Sequence, residues 1–390
     1  MKTNLTSQRG ACHIQVRTSA RDTFTEYHLT AVVAGPGSAG PVAESLFAAL
    51  AAELVARRIQ PVQEKIYGLA RVRKEVLRQR DRIYRLRGLD RTMPVTWIEG
   101  GPLQSDELAG VQIWGVAPAD GQPCVRTVEN AVTGRGREWT GAGFRMLHLP
   151  AVDGTRPGGG LVAGRTAQAA QMFANVGAAL GAHGMKYPQV VRTWIYVAKL
   201  LEWYGDMNGV RTAHYRSQGL GVEGGPAFPA STGIMGRSED EECVMDVLAV
   251  KNLLPGRVVV TPINRSAKQH SSFNYGSSFS RAMALEIEGR RTIHVSGTAS
   301  INAAGLSTHR GDAEHQCVET LLSIAAILVE QGGGLQCLTS ATLFCKDRAA
   351  WEAWERTTRL LQVPEIPRIC LLADVCREDL LVEMEAVAVV

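Results

Sequence analysis

The chain has 390 residues, of which 45% are hydrophobic and 21% are charged, and its net charge at pH 7 is +4. This composition is ordinary for a folded globular protein, and the small net charge argues against an acidic tail or a general polyanion binder. No run of 18 uncharged apolar residues occurs, and the first 22 residues lack the apolar core of a secretory signal. We therefore expect no membrane span.

Eight cysteines are scattered along the chain, and no CxxC motif occurs. In a chain of this size, such a pattern predicts reduced thiols in a cytoplasmic protein rather than a disulfide framework. The same spacing gives no support to a zinc site, so we expect no metal.

The first predicted segment contains a helical stretch at 43–58, a β-rich run from Pro61 and a strand pattern that ends at Ala117. Between the strands, the stretch 57–91 holds twelve basic and four acidic residues. A nucleic-acid surface is one interpretation of that excess. We favour a solvated basic helix, and expect no nucleic acid as a partner, because an apolar stripe accompanies the charges. The stripe consists of Val72, Val76, Ile83 and Leu86.

The same order of elements recurs twice further along the chain. A helical stretch at 166–184 precedes a β-rich run from Pro188 and a strand that reaches Ala249. Another helical stretch at 311–333 precedes a run from Leu335 and a strand that reaches Ala388. Each unit therefore follows the order strands, helix, strand, helix, strand, which predicts an α+β fold with helices on one face of each sheet.

These repeats predict three domains in one chain. Repeat 1, which is degenerate, occupies 1–118, a linker and repeat 2 occupy 119–250, and a linker and repeat 3 occupy 251–390. Because the second face of each sheet also needs cover, we expect an intramolecular pseudo-trimer with sheets inside and helices outside. The protein itself is then expected to be a monomer or a small homo-oligomer.

The last strand carries two acids on one face. Side chains alternate along a strand, so Glu383 and Glu385 share a face with Val387 and Val389. One interpretation is a solvated pair at an open edge. The other is a buried acid pair in a cleft between repeats.

The third repeat resembles the RidA/YjgF family, whose members are usually homotrimers with small-molecule sites between subunits. The likeness lies in "HVSGTASIN" (294–302) and in "IPRIC" (366–370), with Glu383 placed 15 residues after Arg368. The resemblance implies that Arg368 grips a substrate carboxylate and that Cys370 and Glu383 line the site.

A more detailed resemblance is to the chorismatases, enzymes of secondary metabolism built on the same repeated fold. It covers roughly the last 190 residues, through "SFSRA" (278–282), "HRGDAEHQCVETL" (309–321) and "DVCREDLLVEMEAVA" (374–388), with weaker matches at 214–220 and 228–236. It implies that Glu383 protonates the enolpyruvyl side chain of chorismate without a cofactor. The chain departs from the pattern at Ile195, where chorismatases have Asn. Phe279 stands where RidA deaminases have Tyr.

The chemistry of an enol ether requires such an acid. Protonation of its methylene carbon gives an oxocarbenium ion, which water or an internal oxygen can attack before pyruvate leaves. The donor must remain protonated near pH 7, and burial can raise the pKa of a Glu by several units. Glu385 would raise that pKa further, or it would serve as a structural partner of an arginine.

The substrate, a small dicarboxylate, requires cationic groups. Arg281 and Arg368 from the third repeat are our first choices, because a guanidinium pairs with carboxylates bidentately. We expect Tyr215 and Arg216 to face them across a cleft, and the Ser296–Gly297 turn to offer N–H groups and a hydroxyl. Cys370 and Cys376 are expected in the wall.

Comparison of the repeats predicts one site per chain. The expected counterparts of Glu383 are Gln112 and Val244, and neither is an acid.

Three functions remain open. The first is a chorismatase-like enzyme that yields a hydroxybenzoate or a dihydroxycyclohexadiene carboxylate. The others are a RidA-type imine/enamine deaminase and a non-catalytic pseudo-trimer that binds metabolites.

Overall fold

In a computed structural model of the chain, which describes residues 5–9, 12–237 and 241–390, the elements form three units of one sheet and two helices each. Unit 1 consists of β1 (Leu5–Arg9), β2 (Cys12–Ala20), β3 (Phe24–Val33), α1 (Ala39–Ala56), β4 (Gln60–Gly68), α2 (Arg73–Leu86), β5 (Thr96–Glu99), β6 (Gly101–Pro102) and β7 (Leu108–Pro118). Unit 2 consists of β8 (Val125–Asn130), β9 (Gly134–Gly141), β10 (Phe144–Val152), α3 (Arg165–Ala182), β11 (Val190–Ala198), α4 (Leu200–Ser217), β12 (Ala230–Arg237) and β13 (Cys243–Asn252). Unit 3 consists of β14 (Val259–Ile263), β15 (Ala282–Ile287), β16 (Arg290–Ala299), α5 (Ala313–Glu330), β17 (Leu338–Cys345), α6 (Arg348–Leu360), β18 (Arg368–Leu372) and β19 (Val382–Val389).

The three sheets share one topology. Their strand orders are β1-β2-β3-β7-β4-β5, β12-β11-β13-β10-β9-β8 and β14-β15-β16-β19-β17-β18-β6. In each, the strands before and after the second helix form a parallel pair: β4 with β5, β11 with β12, and β17 with β18. The linkers predicted before repeats 2 and 3 lie at 117–139 and 251–272. They contain β8, most of β9 and β14, which add strands to the second and third sheets.

The arrangement of the layers confirms the predicted fold. One apolar cluster draws residues from the inner faces of all three sheets, among them Trp114, Trp194 and Phe344. Each unit also has one apolar cluster of its own, which lies between its sheet and its two helices. The sheets therefore cover one another at the centre, and the helices lie outside.

The two helices of unit 1 differ in composition: α1 is apolar and α2 is basic. By length and composition alone, α1 is apolar enough to cross a membrane. Eight of its residues, including Leu46, Phe47 and Leu50, are buried against the first sheet, as in a core helix. On α2, Val76 and Ile83 are buried as the predicted stripe requires, whereas Leu86 is exposed.

The strand registers show which positions of the repeats are equivalent. Tyr67, Tyr196 and Phe344 occupy matching places in β4, β11 and β17. The residues opposite them are Gly110, Val244 and Glu383. The counterpart of Glu383 in unit 1 is therefore Gly110 rather than Gln112, because Gln112 lies opposite Lys65 and matches Glu385 instead.

Candidate active site

A cavity lies between units 2 and 3. We call it the arginine pocket. Unit 2 contributes side chains from α4 and β12, and unit 3 contributes the segment before β15, the middle of β16, the loop after β18, and β19. Its lining consists of Tyr204, Arg211, Ser231, Gly233, Tyr275, Ser277, Phe279, Arg281, Gly297, Ala299, Ile301, Cys376, Arg377 and Glu383.

Glu383 is the only acid in this lining, and its side chain is almost fully buried. Val382, Met384 and Ala386 point toward the helices of unit 3, so strand alternation directs Glu383 to the inner face. Burial raises the pKa of Glu383 to about 8, and the charge of Glu385 adds to this, while Arg192 opposes it. The carboxyl is therefore mostly protonated at neutral pH.

A bulge in β16 makes room for this carboxyl. The pairing of β16 with β19 shifts between Val295 and Thr298, so Ser296 and Gly297 form the irregular step. A Cβ atom at Gly297 would lie 2.1 Å from Oε1 of Glu383 and 3.2 Å from Cγ2 of Thr232. Only glycine fits between the two without a shift of its neighbours.

Three arginines alternate with two aromatic rings along the wall of the pocket. The guanidinium carbon of Arg211 lies 5.9 Å from the centre of the Phe279 ring, and that of Arg281 lies 5.4 Å from it. On its other side, Arg281 lies 5.5 Å from the Tyr275 ring, and Arg377 lies 5.8 Å from the same ring. The rings hold the cations close together, which their mutual repulsion would otherwise oppose.

Among the described residues, no carboxylate lies within ion-pair distance of these three arginines. Arg281 donates two hydrogen bonds to the carbonyl of His270, and Arg377 donates one of 2.6 Å to the carbonyl of Gly305. Arg211 is 1% exposed, and its Nε and Nη2 have no hydrogen-bond partner. A buried guanidinium without an acceptor is costly, so this wall is built to receive an anion.

The structure brings four of the predicted residues into this pocket: Glu383, Arg281, Gly297 and Cys376. Burial raises the pKa of the Cys376 thiol to about 12, with a further contribution from Glu383, so it is a neutral wall group. Ser296 lies beside the pocket, but its hydroxyl already donates to the carbonyl of Ser280 and accepts from the N–H of Ser231.

The Ser296–Gly297 step is therefore not the open turn that we expected. It lies within β16, and both of its N–H groups are engaged, that of Ser296 by the carbonyl of Arg281 and that of Gly297 by Oγ1 of Thr232. Its backbone joins unit 3 to unit 2 instead of offering donors to a ligand.

Arg368 and Cys370 lie outside the arginine pocket, which corrects the expected grouping. Their strand, β18, borders unit 1, where it pairs with β6. Arg368 pairs there with Glu355 of α6 at 2.5 Å, and burial raises the pKa of Cys370. The position beside Glu383 is filled from unit 2, in which the register equivalent of Arg368 is Ser231.

Tyr215 and Arg216 also lie elsewhere. Tyr215 is fully buried in the core between α3, α4 and the second sheet, where it packs against Phe173 and Phe228. Arg216 is exposed near the end of α4. The residues of this helix that reach the pocket are Tyr204 and Arg211, the latter one turn before Tyr215.

Glu385 occupies the structural role that we considered for it. Its Oε2 accepts a 2.8 Å hydrogen bond from Arg192, and its Oε1 lies 3.7 Å from Nζ of Lys65. It faces the junction of all three units rather than the pocket. Through its charge it still acts on Glu383, two residues away.

Sequence reasoning missed Arg211, Arg377 and Tyr275. One signal was available for Arg211, since Met207, Arg211 and Tyr215 are spaced by four residues and lie on the buried face of α4. An arginine on an apolar helix face needs an acceptor. Arg377 lies in a loop and Tyr275 ends a short 3-10 helix, and no periodicity in the sequence indicated a ligand at either position.

Known proteins share both the fold and part of the sequence. The profile of the family Endoribonuclease L-PSP matches residues 274–390. A 3-hydroxybenzoate synthase from Streptomyces hygroscopicus is 27% identical over 224 residues, which cover 52% of this chain and 64% of that protein, so less than two thirds of the relative is matched. A chorismatase crystal structure aligns with a TM-score of 0.56 at 21% identity, over 75% of this chain and 86% of the other. At that identity, the alignment establishes the fold.

The glycine of the bulge gives a first prediction. Gly297→Ala should lower the free energy of unfolding by about 1–3 kcal/mol, because the new methyl group overlaps the Glu383 carboxyl. The measurement is urea unfolding. Gly209→Ala on α4 is the matched control, since its Cβ meets nothing within 4 Å. Equal stabilities of the two variants would contradict the steric interpretation.

The raised pKa of Glu383 gives a second prediction. Between the ordinary pKa of 4.5 and the folded value of about 8, the folded state holds a proton that the unfolded state releases. Stability contributed by that proton is therefore present at low pH and falls as pH rises through this window. Glu383→Gln should become progressively more stable than wild type from pH 5 to pH 8, by roughly 1.4 kcal/mol for each unit of pKa difference.

The measurement is the pH dependence of the free energy of unfolding. Glu286→Gln, which changes an exposed glutamate of β15, is the control and should track wild type at every pH. A constant difference between Glu383→Gln and wild type would mean that Glu383 is ionised in the folded protein.

Proposed function

We propose that this chain, a chorismatase-like member of the RidA/YjgF-like superfamily, is an enzyme that releases pyruvate from chorismate or a close dicarboxylate. The observation that carries the proposal is a pocket in which one buried carboxyl, that of Glu383, shares the lining with three arginines that have no acidic partner among the described residues. Such a pocket would donate a proton to the substrate and bind the substrate's carboxylates.

The charges of the pocket fit a dicarboxylate. With Glu383 protonated, Arg211, Arg281 and Arg377 give the lining an excess of three positive charges. Two carboxylates would neutralise most of it. Arg211 has free Nε and Nη2 donors, which suit the bidentate recognition of one carboxylate, and the loop arginine Arg377 could take the other.

The proposed reaction begins with transfer of the Glu383 proton to the methylene carbon of the enolpyruvyl group. The C=C electron pair forms the new C–H bond, and the positive charge moves to the ether carbon as an oxocarbenium ion. Water attacks that carbon and loses a proton to solvent, which gives a hemiketal. The hemiketal then breaks its bond to the ring oxygen, its hydroxyl proton passes to that oxygen, and pyruvate and the ring alcohol leave. The Glu383 carboxylate then regains a proton from solvent.

The deaminase alternative relies on Arg368, Cys370 and Glu383 acting together. These residues border different units, because β18 lies against unit 1 whereas Glu383 faces unit 2. Phe279 supplies a ring that holds two arginines and has no hydroxyl. Both points favour the acid-catalysed reaction of a dicarboxylate.

The central test is pyruvate release from chorismate by the purified protein. Wild type should produce pyruvate, and Glu383→Gln should lower kcat about 100-fold or more, as expected for loss of a general acid. The rate should fall as pH rises through about 8, where Glu383 loses its proton. Glu385→Gln should move that fall to lower pH, because one source of the raised pKa is removed.

Asp246→Asn is the matched control for Glu385→Gln, because it changes the carboxylate at the equivalent position of unit 2. It should leave the midpoint of the pH profile in place. Absence of pyruvate with wild type, or equal rates with Glu383→Gln, would refute the proposal. Tight binding of chorismate without turnover would indicate a metabolite-binding protein.

The arginine without acceptors gives a further prediction with two readouts of opposite sign. Arg211→Met should raise the KM for chorismate about tenfold or more, since a hydrogen-bonded charge pair contributes about 1.5–3 kcal/mol. It should also raise the thermal midpoint of the free protein, because a buried, unpaired charge is removed. Arg216→Met, an exposed position of the same helix, should change neither. A lower midpoint and an unchanged KM for Arg211→Met would assign Arg211 a structural role.

A further inference from the structure

A second, small cavity lies where the inner faces of the three sheets meet. We call it the axial chamber. Its polar lining comes from every unit: Gln63 and Lys65 from unit 1, Arg192 from unit 2, and His294, Thr342 and Glu385 from unit 3. The reaction proposed above uses none of its open space.

Arg192 directs an unused donor to this chamber. Its side chain is 2% exposed, and its Nη2 donates to Glu385 at 2.8 Å and to Oγ1 of Thr232 at 2.6 Å. Its Nη1 is buried and has no hydrogen-bond partner. The guanidinium carbon lies 4.8 Å from the centre of the Trp194 ring.

Lys65 supplies a second cation on the same ring. Its Nζ lies 3.9 Å from the centre of the Trp194 ring and 3.7 Å from Oε1 of Glu385. Within the described chain it makes no hydrogen bond of normal length. Burial lowers the pKa of Lys65 to about 8, so the ammonium group remains charged at neutral pH.

Glu385 balances only one of these two charges. Two further buried acids lie near the chamber, and each has its own partners. Asp246 accepts hydrogen bonds from Thr96 and the N–H of Ala151 and lies 3.7 Å from His148. The other acid is Glu26.

Glu26 is paired with Arg21 at 2.7 Å and also accepts from Trp114, Thr292 and His28. Among the side chains that line the chamber, Lys65 and Arg192 are two cations beside one carboxylate, Glu385. His294 adds a neutral imidazole whose two ring nitrogens are buried without partners.

We propose that the axial chamber is a binding site for a small monocarboxylate, held between Nη1 of Arg192 and Nζ of Lys65. The imidazole of His294 supplies a further donor, and the rings of Trp114 and Trp194 bound the apolar end of the ligand. The chamber differs from the arginine pocket in having two cations beside a carboxylate rather than three cations without one. One carboxylate group would use the two cationic donors of the chamber, whereas the second group of a dicarboxylate would find no third cation in the lining.

The test is calorimetric titration of the full chain with sodium acetate, with chloride and succinate at matched ionic strength as competing probes. Acetate should bind saturably with one site at the chamber, and it should change tryptophan fluorescence because Trp194 contacts both cations. Lys65→Met should weaken acetate binding at least tenfold. Lys251→Met, a lysine on the outside of unit 2, should leave it unchanged.

Arg211→Met distinguishes the chamber from the arginine pocket. Loss of acetate binding in Arg211→Met but not in Lys65→Met would place the anion in the pocket and overturn the proposal. Stronger binding of chloride or succinate than acetate would also overturn it. If Lys65→Met fails to fold, crystal structures of wild type with and without sodium acetate provide the decisive result. Acetate density in the chamber supports the proposal, and acetate density only elsewhere refutes it.

Discussion

The structure depends on one constraint: three sheets face one another, so every polar side chain at their junction is removed from water. Each must then find a partner across a boundary between units. Thr96 of unit 1 donates to Asp246 of unit 2, Arg192 of unit 2 donates to Glu385 of unit 3, and Gln112 of unit 1 donates to the carbonyl of Ala341 in unit 3. These three contacts lie at equivalent levels of the pseudo-trimer and join the units in a ring.

The three clefts between units differ at one position in the last strand of each unit. At the position of Glu383, unit 2 has the apolar Val244 and unit 1 has Gly110. In unit 1 no side chain could be accommodated, because a Cβ at Gly110 would lie 2.1 Å from the carbonyl oxygen of Ala31 and 2.6 Å from Cδ1 of Ile369. In unit 1, direct packing at Gly110 leaves no room for a side chain. In unit 3, the bulge at Gly297 leaves room for the Glu383 carboxyl.

The sequence was sufficient for features that depend on local periodicity. Residue spacing predicts the alternation of β19 and the order of elements in each repeat. The raised pKa of Glu383 follows from its burial on the inner face of that strand. The location of Arg368 could not be predicted in this way, because its distance from Glu383 depends on which unit borders which. Fifteen residues separate Arg368 from Glu383, and their strands follow one another in the chain but have β17 between them in the sheet. The cleft is completed by β12 of another unit, where Ser231 stands in place of the arginine.

The contribution of unit 1 to the arginine pocket is therefore electrostatic and indirect. Within the described residues it gives none to the lining of the pocket, yet its Lys65 and the neighbouring Arg192 pair with Glu385 beside the axial chamber. The charge of Glu385 opposes ionisation of Glu383 on the same strand. The protonated form of Glu383 therefore depends on a charge network with side chains from all three units. Fusing three repeats into one chain lets each unit carry a different part of that network, which three identical subunits could not do.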